Sequence, residues 1–149
     1  MAVIRAFIAI ELSAEISERL DHISAELKQR MPHNTVRWAP ARNIHLTLKF
    51  LGDVSSANLE SLQKTIQVEC ENYPPFEVSI GGVGAFPSSH RPRVIWVGVT
   101  APEVLPALQH GLENCVSRLG YPPEERPFSP HLTLGRVMQI GRASCRERV

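Results

Sequence analysis

The chain has 149 residues and a mass of 16.6 kDa, a size that one hydrophobic core can serve. Apolar residues at 43%, charged residues at 21% and a mean hydropathy of −0.10 exclude a disordered or collagen-like chain. No apolar run approaches the roughly 20 residues that span a bilayer, and Met1-Ala-Val-Ile-Arg5 has no signal-peptide pattern, so a cytoplasmic protein is expected. Cys70, Cys115 and Cys145 are odd in number and lack CxxC spacing, which argues against a disulfide framework or structural zinc and for buried apolar thiols. The formal charge of +1 comes from the end of the chain. Ile140–Val149 holds three Arg and one Glu, and without it 13 basic residues face 14 acidic ones. The body has no global pull on nucleic acid, so any RNA contact must be local.

In chain order, Met1 to Ile10 reads as a buried strand. Ser13 is a candidate N-cap with Glu15 in the first turn, and Ile16, Leu20, Ile23 and Leu27 form the stripe of an amphipathic helix to about Arg30, stopped by Pro32. Val36 to Trp38 suits a short strand, and Pro40 to Asn43 turns into a strong strand over 44–51 that Gly52-Asp53 ends. A second helix begins at Ser56 with Leu59, Leu62 and Ile66 on one face, and Tyr73-Pro-Pro75 closes it. Phe76 to Ile80 alternates as a strand, 81–92 is a Gly/Pro/Ser loop, and Arg93 to Val99 completes a hairpin-like pair. Val104, Leu108, Leu112, Cys115 and Leu119 mark a third helix with Pro106 in its first turn and Gly120 at its C′ position. His131 to Arg136 is the last clear strand. The interleaving lacks a regular βαβ period, which makes the fold class mixed α+β.

The most informative feature is a repeat. His45-Leu46-Thr47-Leu48 returns as His131-Leu132-Thr133-Leu134, 86 residues on, each copy after a proline-containing loop and at an expected strand. Residues two apart in a strand share a face, so each copy offers an imidazole beside a hydroxyl, with both leucines turned the other way. A pseudo-two-fold duplication would lay these strands beside one another and gather two His and two Thr around one cavity. An imidazole with an ordinary pKa of about 6.5 can be neutral in one copy and protonated in its twin, which makes the pair a base and an acid. The hydroxyls can donate to phosphate oxygens. Two imidazoles with no repeated Asp, Glu or Cys do not make a zinc shell, so neither a metal nor another cofactor is expected. His22, His33, His90 and His110 have no partners at fixed spacing and read as ordinary histidines. Trp38, Phe7, Phe50 and Phe86 could form a base-stacking shelf, though core positions explain most of them better. His90, Arg91 and Arg93 could meet an RNA backbone or simply be solvated.

These motifs together resemble the 2H phosphoesterases, and within them the bacterial RNA 2′,3′-cyclic phosphodiesterases, also called 2′-5′ RNA ligases. The resemblance rests on Arg5-Ala-Phe-Ile-Ala-Ile10, Trp38, Pro40, Asn43-Ile-His45-Leu-Thr47-Leu-Lys-Phe-Leu-Gly52, Gly84-Ala-Phe-Pro87, Arg91-Pro-Arg93-Val-Ile-Trp96 and Arg126-Pro-Phe-Ser-Pro-His131-Leu-Thr133-Leu-Gly-Arg136. It implies a bilobed α+β fold with two antiparallel sheets flanking a central cleft, helices outside, and an internal duplication. It also implies metal-free hydrolysis of RNA 2′,3′-cyclic phosphate ends to 2′-phosphates, with His45 as proton donor and His131 as base. Thr47 and Thr133 would hold the phosphoryl oxygens, and Arg136 would add a positive charge at the same phosphate. Expected partners are such RNA ends or small nucleotide phosphodiesters, with no membrane and a monomeric protein. Ligation of 2′-5′ bonds, turnover of small cyclic nucleotides, or RNA binding without catalysis are the alternatives.

Residues 1–138 carry the resemblance. Family members run on for a few tens of residues, whereas Ile140–Val149 breaks the preceding pattern and reads like a translated sequencing adapter, so residues 139–149 are expected to be a non-native tail on a truncated fold. In such a chain the strand of the second motif is expected to become a sheet edge.

Overall fold

A computed structural model describes residues 2–87 and 92–138. The elements are β1 (Val3–Ile10), α1 (Ala14–Arg30), β2 (Val36–Trp38), a 3-10 turn at Ala41–Asn43, β3 (Leu46–Ser55), a 3-10 turn at Ser56–Asn58, α2 (Leu59–Cys70), β4 (Ser79–Phe86), β5 (Val94–Thr100), α3 (Val104–Ser117) and β6 (His131–Val137). The class is α+β, as the sequence implies. Two compact units interleave along the chain. The first gathers Met1–Ile10, Thr47–Ser79 and Thr100–Pro130, and the second Glu11–Leu46, Ile80–Val99 and the described residues from His131 on.

In the first unit β1 pairs with β3 as a two-stranded sheet, and α2 packs on α3. Its core is Leu48, Val54, Leu62, Leu105, Leu108, Leu112 and Val116, all buried, each apolar side chain contributing about 1.5–3 kcal/mol by leaving water. The α3 stripe is confirmed through Cys115, while Leu119 is exposed and Gly120 takes φ +102° just past the helix. α2 starts three residues later than the sequence suggests, because Ser55 caps a 3-10 turn with its hydroxyl accepting from Ala57 N–H at 3.3 Å. On α3, a Cβ at Gly111 would run into the Tyr73 hydroxyl and Glu69 carboxylate, themselves bonded at 2.8 Å, so the glycine lets this pair lie against the helix. β3 does not stop at Gly52-Asp53. Gly52 adopts φ +74°, a left-handed conformation open to glycine at no steric cost, and the strand continues to Ser55.

The expectation of a buried first strand fails. Val3, Ile4 and Phe7 of β1 are exposed, since among the described residues β1 has a ladder partner on one side only, and Phe7 rests on exposed Phe50 with ring centroids 6.1 Å apart. Phe86 is exposed as well. Three of the four aromatics considered for a stacking shelf are therefore outside the core.

The second unit contains α1 and a four-stranded sheet in the order β2-β6-β5-β4. The Ser13 cap is present, its hydroxyl accepting from Ile16 N–H at 3.3 Å, and Lys28 and Arg30 end α1 where cations suit the carbonyl end. Two expectations are overturned by the sheet. β6 is no edge: it is flanked by β5 on one side and by β2 on the other, the short strand Val36–Trp38 supplying the second ladder. Nor does a ladder join the two motif strands among the described residues, since β3 pairs with β1 and β6 with β2 and β5. The strand expected at Phe76–Ile80 also moves, to Ser79–Phe86, and takes up the first half of the supposed loop. Its glycines misled the reading. Close approach explains Gly84, where a Cβ would collide with the Trp96 indole of β5, and Gly98 of β5, where one would stand 3.0 Å from the Gly81 carbonyl oxygen.

His22, His33 and His110 are exposed, as anticipated, and so is Cys70 against expectation. Cys115 is buried, and burial, with Glu69 nearby, pushes its thiol above the ordinary range. His90, Arg91, Cys145 and the tail 139–149 lie outside the described residues. No helix among the described residues is long and apolar enough to cross a membrane.

Candidate phosphoester site

Both tetrapeptides show the alternation that their spacing demands. His45 and Thr47 are half-buried while Leu46 and Leu48 are 1% and 5% exposed. His131 is exposed and Thr133 half-buried, with Leu132 and Leu134 fully buried. In each copy the leucines are the anchors and the imidazole and hydroxyl remain accessible. His45 sits one residue before β3, on the exit of the Ala41–Asn43 turn, where Ile44 N–H bonds to the Ala41 carbonyl at 3.0 Å. It lines an open groove of about 220 Å³ with Glu11, Leu12, Ser17, Arg42 and Ile44. Thr47 belongs to the first unit, whereas His45, His131, Thr133 and Arg136 belong to the second.

Arg136 reaches the face of His131 and Thr133 through a defect in the ladder. Ile95 pairs with Gly135 but Trp96 pairs with Thr133, so Leu134 is an extra residue on β6 and the strand carries a β-bulge. Strict alternation would send Arg136 to the leucine side. After the bulge the phase is reversed, and the burial pattern from His131 reads exposed, buried, half-buried, buried, buried, exposed, with Arg136 back on the accessible face. Glycine is required at the bulge, because a Cβ on Gly135 would stand 2.8 Å from Val36 Cγ1 and 3.0 Å from the Arg37 carbonyl oxygen. Val36 and Trp38 flank Gly135 on the buried face, which removes Trp38 from any stacking surface. Arg93 falls out of phase with Arg136, since its neighbour Val94 is the residue paired with Arg136, so Arg93 does not join this face.

Two residues on the accessible face were given no role by the sequence reading. Trp96 is the cross-strand partner of Thr133, half-buried, with its indole lying over Gly84. The glycine-rich segment facing a tryptophan strand was the available signal. Arg37 is the cross-strand partner of Arg136 and is exposed. No local pattern announces it, because register between strands 99 residues apart is not written in either strand.

The first motif has support of another kind. Lys49, 3% exposed, places Nζ 3.0 Å from Glu113 Oε1 of α3 and donates to the Pro122 carbonyl at 2.7 Å. Gln109 donates both to the Leu48 carbonyl and to Glu113 Oε2, each at 3.2 Å, and Glu124 N–H donates to the same carboxylate oxygen at 3.4 Å. A paired, hydrogen-bonded ion couple is the form in which buried charge is tolerated. This one fixes β3 to α3 and to the loop after it. The exposed Arg5–Asp53 contact at 4.0 Å contributes little.

An α+β protein with a duplicated His-x-Thr on leucine-anchored segments and an arginine rotated onto the same face has the parts of a phosphoester-processing enzyme. Comparison with known proteins defines the class. The family model described as LigT like phosphoesterase matches residues 10–96 and again 97–147, each match holding one copy of the motif. The chain belongs to the LigT-like phosphoesterase family. A protein of Methanothermobacter thermautotrophicus named RNA 2′,3′-cyclic phosphodiesterase is 37% identical over 134 residues, covering 90% of this chain and 71% of that protein. One of the same name from Thermotoga maritima is 35% identical over 133 residues, covering 89% and 70%. The crystal structure of E. coli LigT complexed with 3′-AMP superposes with a TM-score of 0.74 at 34% identity, covering 91% of this chain and 74% of that one.

Proposed function

We propose that the chain hydrolyses RNA 2′,3′-cyclic phosphate ends to 2′-phosphomonoesters by acid-base catalysis without a metal. His131 takes a proton from water as its oxygen bonds to phosphorus, and His45 gives a proton to the 3′ oxygen as the P–O3′ bond breaks. Thr47 and Thr133 donate hydrogen bonds to the non-bridging oxygens, and Arg136 offsets their charge. Atoms and charge balance: one water enters, the ring opens, and the pair returns to its starting state by exchanging one proton with solvent. The observation that carries this reading is the paired alternation, with imidazole and hydroxyl accessible and leucines buried in both copies. The names of the relatives support the substrate. The repeated imidazole and hydroxyl, with no repeated Asp, Glu or Cys beside them, support a metal-free step. We further infer a monomer working in the cytoplasm.

The test is turnover of an oligoribonucleotide ending in a 2′,3′-cyclic phosphate, before and after exhaustive chelation. Release of a 2′-phosphate, undiminished by chelation and lost in His45→Ala and His131→Ala, is the expected result. Turnover that disappears on chelation and returns with a divalent ion overturns the metal-free step. Phosphate binding without turnover makes the protein a non-catalytic RNA-binding module.

A further inference from the structure

We propose that Arg37 is a specificity-determining residue that binds the phosphodiester on the 5′ side of the terminal nucleotide, so that the protein prefers an RNA chain to a mononucleotide. The inference rests on the functional reading above for the position of the reacting phosphate.

Arg37 of β2 stands directly opposite Arg136 of β6 in an antiparallel ladder. The flanking bonds, Ala39 N–H to the Leu134 carbonyl and Met138 N–H to the Thr35 carbonyl, both 2.8 Å, make Arg37 and Arg136 a hydrogen-bonded pair by alternation, with Cα atoms about 5.5 Å apart and side chains on one face. Both are exposed, and neither has an ion-pair partner among the described residues. Like charges directly opposite one another oppose pairing. Two guanidiniums held so by a ladder form a place for an anion, and their planar forks suit phosphate oxygens.

The geometry also separates their tasks. The bulge at Leu134–Gly135 turns Arg136 onto the face of His131 and Thr133, and cross-strand pairing puts Arg37 on that same face. Arg37 lies one strand width, about 4.8 Å, farther from β6. A phosphate gripped by Thr133 and Arg136 leaves Arg37 for the next one along the chain, which an oligonucleotide has and a nucleoside 2′,3′-cyclic phosphate lacks.

The experiment compares the full chain with Arg37→Gln and Arg37→Lys on a five-nucleotide RNA ending in a 2′,3′-cyclic phosphate and on a nucleoside 2′,3′-cyclic phosphate. The ratio of kcat/KM, RNA over nucleotide, should fall about tenfold or more in Arg37→Gln, the loss of a charge-assisted hydrogen bond, with partial recovery in Arg37→Lys. Binding of a 2′-phosphate-terminated RNA should lose about one unit of its logarithmic salt slope. The midpoint of thermal unfolding in phosphate-free buffer should hold or rise in Arg37→Gln, because a repulsion is removed. An unchanged ratio and salt slope overturn the proposal, and so does an equal loss on both substrates, which assigns Arg37 to the reacting phosphate. If wild type turns over neither substrate but RNA binding still depends on Arg37 with that salt slope, the hydrolase reading fails and the phosphodiester contact stands.

Discussion

The segment holding His45-Leu-Thr-Leu48 and the strand holding His131-Leu-Thr-Leu134 display one pattern on two supports. In both copies the leucines are at most 5% exposed and the His and Thr are accessible. β6 is held from both sides by backbone ladders to β2 and β5, and its one irregularity is a bulge that redirects Arg136. Among the described residues β3 has a single ladder, to β1, and is fixed instead by side chains: Lys49 to Glu113 and Pro122, and the Leu48 carbonyl to Gln109. The tetrapeptide thus specifies what is presented, while the neighbouring elements supply the rigidity that positions it. A duplicated motif does not require a duplicated scaffold.

The largest expected effects come from the imidazoles. His45→Ala and His131→Ala should each lower kcat/KM on a cyclic-phosphate RNA end by roughly 10²- to 10⁴-fold. A substrate with a leaving group much better than a ribose hydroxyl sharpens the comparison, because it makes only the acid dispensable. It should rescue His45→Ala more than His131→Ala. Equal rescue would falsify the division of labour between the copies.

Next comes the support of the first copy. Glu113→Ala strands Lys49 Nζ, 3% exposed, without its counter-charge, a change that should lower stability by about 3–5 kcal/mol. Lys49→Met with Glu113→Leu should recover most of that loss, since removing both charges leaves no buried ion. Chemical denaturation of the three chains measures it. A Glu113→Ala protein as stable as wild type would mean that β3 is not fixed by its side chains.

How far these two supports could be read in advance follows from the range of each signal. Local ones were legible: the Ser13 cap, the α3 stripe, the short strand Val36–Trp38, and the His-x-Thr pair itself, whose faces follow from a period of two. Resemblance carried the family and the class of chemistry. What depended on partners was not legible. Gly81, Gly82 and Gly84 read as loop, and only the Trp96 indole against Gly84 shows why a glycine stands in this strand. β6 read as an edge because the tail stands in place of the segments expected to flank it, and nothing in three residues of β2 advertises a ladder with a strand about a hundred positions away. The bulge was hidden as well, since Gly135 shows its purpose only against Val36 and Arg37.

The glycines give the two smaller predictions. Gly135→Ala adds a methyl group 2.8 Å from Val36 Cγ1 and 3.0 Å from the Arg37 carbonyl, where backbone cannot yield cheaply. Overpacking of this kind costs about 1–3 kcal/mol. Because the bulge also sets the phase of Arg136, KM for the cyclic phosphate should rise alongside the loss of thermal stability. Stability lost with KM unchanged would show that Arg136 is not needed at the phosphate.

Gly52→Ala tests the other strand by a different mechanism. The space around Gly52 is open, with no atom within 4 Å of an added Cβ, so nothing is overpacked. Its φ of +74° is the whole obstacle, and a left-handed conformation costs an ordinary L-residue roughly 1–2 kcal/mol. Asparagine visits that region more readily, so Gly52→Asn should lose less than Gly52→Ala. Gly135→Asn, by contrast, should do no better than Gly135→Ala, since a larger side chain meets the same wall. The four substitutions therefore separate backbone strain in β3 from crowding in β6 by rank order alone, read from midpoints of thermal unfolding. A Gly52→Ala chain as stable as wild type would show that β3 reaches Ser55 without left-handed backbone at Gly52, and that this strand owes its path to the Lys49 network alone.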